Sequence, residues 1–116
     1  YLETNEGKHL PIAHCIAGTD GWKIVDELSN DEDIIIYKSI FGNLYWSKLI
    51  SQWDDEIEII GLCTDICVIS NALILKAMFP NIKITVDASC CAGVTPKTHK
   101  SAIEVMKMCQ IDIIGE

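Results

Sequence analysis

Four apolar runs punctuate the chain: Asp33–Lys38 (DIIIYK), Ile57–Leu62 (IEIIGL), Ile82–Asp87 (IKITVD) and Ile111–Gly115 (IDIIG). Each is short and close to continuous, the pattern of a strand covered on both faces. Between the runs, apolar positions recur at helical spacing. Leu44–Trp53 carries Leu44, Leu49 and Ile50, Asp65–Phe79 is apolar along most of its length, and Pro96–Gln110 sets Ala102, Ile103, Met106 and Cys109 on one stripe. Pro96 suits a first helical turn, where its missing N–H has no partner to lose, and Thr95 can cap that turn. Strands alternating with helices imply parallel strands joined by right-handed crossovers. The expected fold is therefore α/β, three-layered, with a mostly parallel, doubly wound sheet. Residues 1–30 contain no such strand and read as a polar loop, an irregular turn at Gly18–Gly21 and a short helical piece. With no internal repeat, linker or low-complexity segment, residues 1–116 are read as a single domain.

Composition narrows the function classes. A chain of 116 residues that is 49% hydrophobic has enough apolar surface for a sizeable core, which excludes disorder. Seventeen acidic against nine basic side chains give a net charge of −8, which repels phosphate backbones and anionic lipid. Neither nucleic acid nor a membrane surface is an expected partner. No apolar run reaches the roughly 18 residues of a membrane span, and no charged-then-apolar leader opens the chain at Tyr1.

The six cysteines, Cys15, Cys63, Cys67, Cys90, Cys91 and Cys109, lie largely within apolar strands or helices. That placement points to a reducing compartment and a cytoplasmic location, because a disulfide framework goes with loop-rich, small-core sequences. Cys63 and Cys67 are four apart, and no second pair has finger or ribbon spacing, so cysteine ligation of zinc is disfavoured.

In doubly wound sheets, ligands sit outside the carboxyl ends of the strands. That rule puts Lys38, at the end of DIIIYK, and the Cys63–Cys67 turn, at the end of IEIIGL, on one rim. Thr64 or Asp65 can cap the helix that follows, which places Cys67 in its first turn. There the helix dipole and a neighbouring Lys38 ammonium both favour thiolate over thiol. Cys15, Cys90, Cys91 and Cys109 read as packing residues, the commonest role of cysteine in apolar surroundings. Cys67 differs from them because the turn before it is polar.

The stretch Gly61-Leu62-Cys63-Thr64-Asp65-Ile66-Cys67-Val68 resembles the nucleophile motif of the isochorismatase-like cysteine hydrolases, the superfamily that includes nicotinamidases and related amidases. Three further stretches agree in order and spacing: His14-Cys15 with Gly18-Thr19 and Gly21; Lys38 with Phe41; and Val86-Asp87-Ala88 ahead of the last helix. The resemblance implies that Cys67 is the nucleophile and Lys38 the lysine of an Asp-Lys-Cys triad. It also implies a cis peptide between Leu62 and Cys63, and an oxyanion hole formed by the N–H groups of Cys63 and Cys67. His14 matches the last ligand of the metal site found in nicotinamidases, so a divalent metal such as zinc is the candidate cofactor, with Glu3, Glu6 and His9 as supplementary oxygen or nitrogen donors.

Two departures accompany it. No residue matches the triad aspartate, and the Asp-x-His pair that supplies the other metal ligands in nicotinamidases would precede Tyr1. The resemblance thus implies a domain that is incomplete at its N-terminus. In the family's sheet order, 3-2-1-4-5-6, the two absent strands separate the strand ending at Lys38 from the one ending at Leu62. Pro11 stands where a nicotinamidase often carries a substrate-stacking Trp. Trp22 and Trp46 are alternative pocket residues, although amphipathic packing explains each better.

The activity these residues imply is hydrolysis of a small-molecule amide through a cysteine thioester, by a homo-oligomeric enzyme. Two alternatives stay open: a non-catalytic α/β domain that binds a small molecule or a partner chain, and an isochorismatase-type vinyl-ether hydrolase that does not depend on the cysteine.

Overall fold

The structure is a computed structural model and describes residues 1–51 and 56–116. The chain forms two compact units, Tyr1–Ile36 and Tyr37–Glu116.

The first unit contains one short helix, α1 (Asn5–His9), and two 3-10 turns, Asp20–Trp22 and Asp26–Leu28. Thr4 caps α1, its hydroxyl oxygen accepting the Gly7 N–H at 3.0 Å. The Tyr1 hydroxyl donates to the Leu10 carbonyl at 2.8 Å and ties the start of the unit to the end of α1. This helix falls where the sequence suggests a polar loop. A capping threonine and Glu6 in the first turn stabilise it locally, without an apolar face to give it away.

The second unit holds a parallel sheet of three strands in the order β1 (Glu56–Leu62), β2 (Lys83–Ala92), β3 (Asp112–Ile114). Between β1 and β2 run a π-helical turn, Thr64–Val68, and helix α2 (Ile69–Met78); between β2 and β3 runs α3 (Pro96–Met108). This is an α/β fold with parallel strands and helical crossovers, as the alternation of elements predicts. Thr95 and Thr98 form a reciprocal capping box on α3, with Pro96 in the first turn. The core lies between one face of the sheet and the two helices. It joins Ile84, Val86 and Ala88 of β2 to Ala72 and Leu75 of α2 and Ile103 and Met106 of α3, with Ile57 and Ile59 packed against them. Burying each of the larger side chains stabilises the unit by about 1.5–3 kcal/mol. Alternation along β1 sends Glu56, Glu58 and Ile60 to the other side, where Ile60 is 57% exposed.

Two expectations need correction. The run Asp33–Lys38 is not a strand among the described residues, and Ile34 is 74% and Tyr37 71% exposed. An apolar run supplies the side chains of a buried strand but not the partner its backbone groups require. The helix expected over Leu44–Trp53 is only a 3-10 turn, Trp46–Lys48, within the described residues; Trp53 lies outside them. Gly42 and Asn43 are buried just before that turn, in a loop folded closely onto α2: a Cβ on Gly42 would run into Ile74 Cδ1.

Candidate active site

The site is built at the carboxyl end of β1. Gly61 has φ +126°, a conformation that glycine alone adopts readily. At this residue the pairing jumps: Ile59 lies opposite Val86, but Gly61 lies opposite Cys91. Leu62–Cys63 follows as a cis peptide. The chain then makes a wide turn in which the Cys63 carbonyl accepts from both Ile66 N–H at 3.1 Å and Val68 N–H at 3.0 Å. Cys67 sits between these two donors, half-buried, and its own N–H donates to no acceptor outside the turn among the described residues.

Lys38 reaches this turn from 29 positions upstream. Its Nζ lies 3.8 Å from Cys67 Sγ and donates to the Ile40 carbonyl at 2.9 Å. Among the described residues Lys38 is the side chain that hydrogen-bonds the thiol, and no carboxylate does so. The neighbouring Cys63 thiol is pushed up from its ordinary pKa, first by burial and then by the charges of Asp65 and Cys67.

Neither Thr64 nor Asp65 caps the helix as expected; both tie the turn to the segments after β2. Thr64 is fully buried, and its hydroxyl lies 2.8 Å from His99 Nδ1 on α3. The Asp65 carboxylate accepts the Val94 N–H with both oxygens, at 3.2 and 3.0 Å. Partial burial pushes the Asp65 pKa up, but hydrogen bonds from the Thr98 hydroxyl and the Val94 amide outweigh it, and the carboxyl is held below its ordinary value. The turn carrying Cys67 is thereby anchored on the side of α3 as well as through β1.

The sequence of the isochorismatase domain matches residues 2–115 of this chain. The chain belongs to that family. Among solved structures, a nicotinamidase from Bacillus subtilis is 22% identical, with a TM-score of 0.79 over 97% of this chain and 68% of its own. An isochorismatase-like hydrolase from Alkaliphilus metalliredigens is 18% identical, with a TM-score of 0.76 over 97% of this chain and 63% of its own. A pyrazinamidase from Pyrococcus horikoshii, solved in complex with zinc, is 21% identical, with a TM-score of 0.66 over 90% of this chain and 62% of its own. The chain thus spans about two thirds of the length of these structures, and the likeness is one of fold. No curated protein matches it significantly.

The metal donors suggested by the sequence do not form a site within the described residues. His14, in the first unit, stacks edge-on with Tyr1 at 5.2 Å between ring centroids, and its Nδ1 is 2.7 Å from the Ile12 carbonyl. His9 Nδ1 is 2.8 Å from the Asn5 carbonyl within α1. No group of three His, Cys, Asp or Glu side chains is arranged to hold an ion among the described residues, so the donors present do not fit a zinc centre by themselves. All six cysteines are free thiols. No helix among the described residues is long and apolar enough to cross a membrane.

Two residues at the site carry more than their sequence setting suggests. His99 continues the apolar stripe of α3 backwards, at helical spacing from Ala102, Ile103 and Met106, and a histidine on a buried stripe needs a partner. Asn71 interrupts the apolar stretch of α2 on the flank beside Val68, Ala72 and Leu75, where an unpaired amide would be costly.

Proposed function

We propose that this chain carries the nucleophile of a cysteine amidohydrolase acting on a small-molecule amide. The observation that supports this most strongly is the approach of Lys38 Nζ to Cys67 Sγ, 3.8 Å, at the turn where β1 gives way to α2. A cysteine that serves only for packing has no use for an ammonium, whereas a thiolate nucleophile is stabilised by one.

In this reading the Cys67 thiolate attacks the carbonyl carbon of the amide, and a C–S bond forms as the carbonyl oxygen takes the negative charge. The N–H groups of Cys63 and Cys67 receive that oxyanion, a contribution worth on the order of a hundredfold in rate for each donor. The C–N bond then breaks as the leaving nitrogen takes a proton from solvent and departs as ammonia, and a water that gives its protons back to solvent hydrolyses the thioester, releasing the carboxylate and regenerating the thiolate. Lys38, with its Nζ 3.8 Å from the sulfur and bound to the Ile40 carbonyl, is placed to stabilise the anionic forms of the cycle.

The test is to trap the acyl-enzyme. Protein mixed with a panel of primary amides, nicotinamide among them, and quenched in acid should gain the mass of the acyl group on the tryptic peptide that contains Cys67. Turnover without any acyl adduct on that peptide, or an adduct on another residue, would remove the thioester from the account.

A further inference from the structure

The carboxamide of Asn71 makes four hydrogen bonds. Its Nδ2 donates to the Cys67 carbonyl at 2.9 Å and to the Phe41 carbonyl at 3.2 Å. Its Oδ1 accepts from Asn43 N–H at 2.8 Å and from Trp46 Nε1 at 3.1 Å. Two donors and two lone pairs are the full capacity of an amide side chain, and each faces a complementary group. The orientation of the amide is fixed by this chemistry, because flipping it would set donors against donors and acceptors against acceptors.

The four partners are not scattered. One belongs to the turn that carries Cys67, and the other three belong to residues 41–46, the loop that begins just after Lys38 and Ile40. Lys38 Nζ is itself bound to the Ile40 carbonyl at the root of this loop. Buried Gly42 lies close against α2, where a Cβ would meet the terminal methyl of Ile74 and displace it. The ammonium therefore reaches Cys67 from an irregular segment, and the loop that follows it is hydrogen-bonded to α2 through the Asn71 amide.

We infer that Asn71 is a positioning residue for the Lys38–Cys67 pair. It touches neither the sulfur nor a substrate; it acts by holding the 41–46 loop, and through it Lys38, against the turn that presents the thiol. The consequence for turnover rests on the amidohydrolase reading above, but the consequence for the thiol does not. Reaction of Cys67 with a neutral alkylating reagent follows its thiolate character and needs no substrate.

The experiment measures the rate of Cys67 carbamidomethylation by iodoacetamide at neutral pH, site by site, by mass spectrometry. Four proteins are compared: wild type, Asn71→Ser, Lys38→Met and the double variant. Serine can still bond back to the carbonyl four residues earlier but cannot reach the loop, so it cuts the tether and spares the helix. Asn71→Ala serves as a second variant, and a cooperative thermal transition qualifies whichever folds. Asn71→Ser should slow labelling of Cys67 about tenfold or more in the Lys38 protein, as expected for a misplaced group, and by less than about twofold in the Lys38→Met protein. An equal loss in both backgrounds would mean that Asn71 only supports the helix, and unchanged labelling in the Lys38 protein would overturn the inference outright. Absence of amide turnover in wild type, with this labelling pattern intact, would count against the proposed reaction and leave the positioning role standing.

Discussion

The hydroxyl of Thr64, completely buried, lies 2.8 Å from Nδ1 of His99, 35 positions further along the chain. This bond fastens the first residue of the Cys67 turn to the first turns of α3. Its two ends are not equivalent, because His99 is half-exposed and can turn to water while Thr64 cannot. His99→Ala should therefore destabilise the protein by about 1–3 kcal/mol, and Thr64→Val by about 1 kcal/mol or less. Urea unfolding of the two variants measures both, and a His99→Ala protein as stable as wild type would mean that the bond carries no weight.

Gly93 guards the same contact from the other side. A Cβ placed on it would stand 2.8 Å from His99 Cβ and 2.9 Å from His99 Cα, so the helix backbone would have to move. Gly93→Ala should cost about 1–3 kcal/mol by overpacking and lower the melting temperature. If α3 could shift freely, the melting temperature would not change.

Asp65 contributes a pH dependence whose sign is fixed by its lowered pKa. A carboxyl depressed in the folded state stabilises it fully above the unfolded value. That contribution fades as the pH falls through the folded value, below about pH 4. Asp65→Asn should weaken the protein at pH 7 and flatten its loss of stability on acidification. Chemical unfolding at neutral and acid pH separates the two effects, and parallel acid limbs for wild type and variant would contradict the assignment.

Cys63 and Cys91 should both label slowly with iodoacetamide at neutral pH, since burial raises the pKa of each thiol. For Cys63, charge on Asp65 and on Cys67 adds to the effect. Their labelling should rise only above the ordinary thiol range of about 8–9. Rapid modification of Cys63 at pH 7 would show a more open turn than the structure describes.

What was legible in the sequence follows from which interactions are local. Pro96 with Thr95 announced the start of α3, and the apolar runs from Ile57 and Ile82 announced β1 and β2, because capping and periodicity are written within a few residues. The extension of β2 to Ala92 through Cys90 and Cys91 was not legible, since that pairing resumes only after the jump in register opposite Gly61. Asp33–Lys38 misled for the opposite reason: its composition suits a strand, but pairing depends on neighbours that composition does not reveal. At the site, Cys67 and Lys38 could be singled out by motif and rim position. Asn71 and His99 could be recognised only once their partners, 25–30 and 35 positions away, were in place.

The central claim is that Cys67 performs the chemistry, and ammonia release from primary amides tests it most directly. Wild-type protein should release ammonia from at least one small amide, and Cys67→Ala should lose about 10⁴-fold or more of that rate with an unchanged melting temperature. A Cys67→Ala protein that hydrolyses the same amide at close to the wild-type rate would contradict the account.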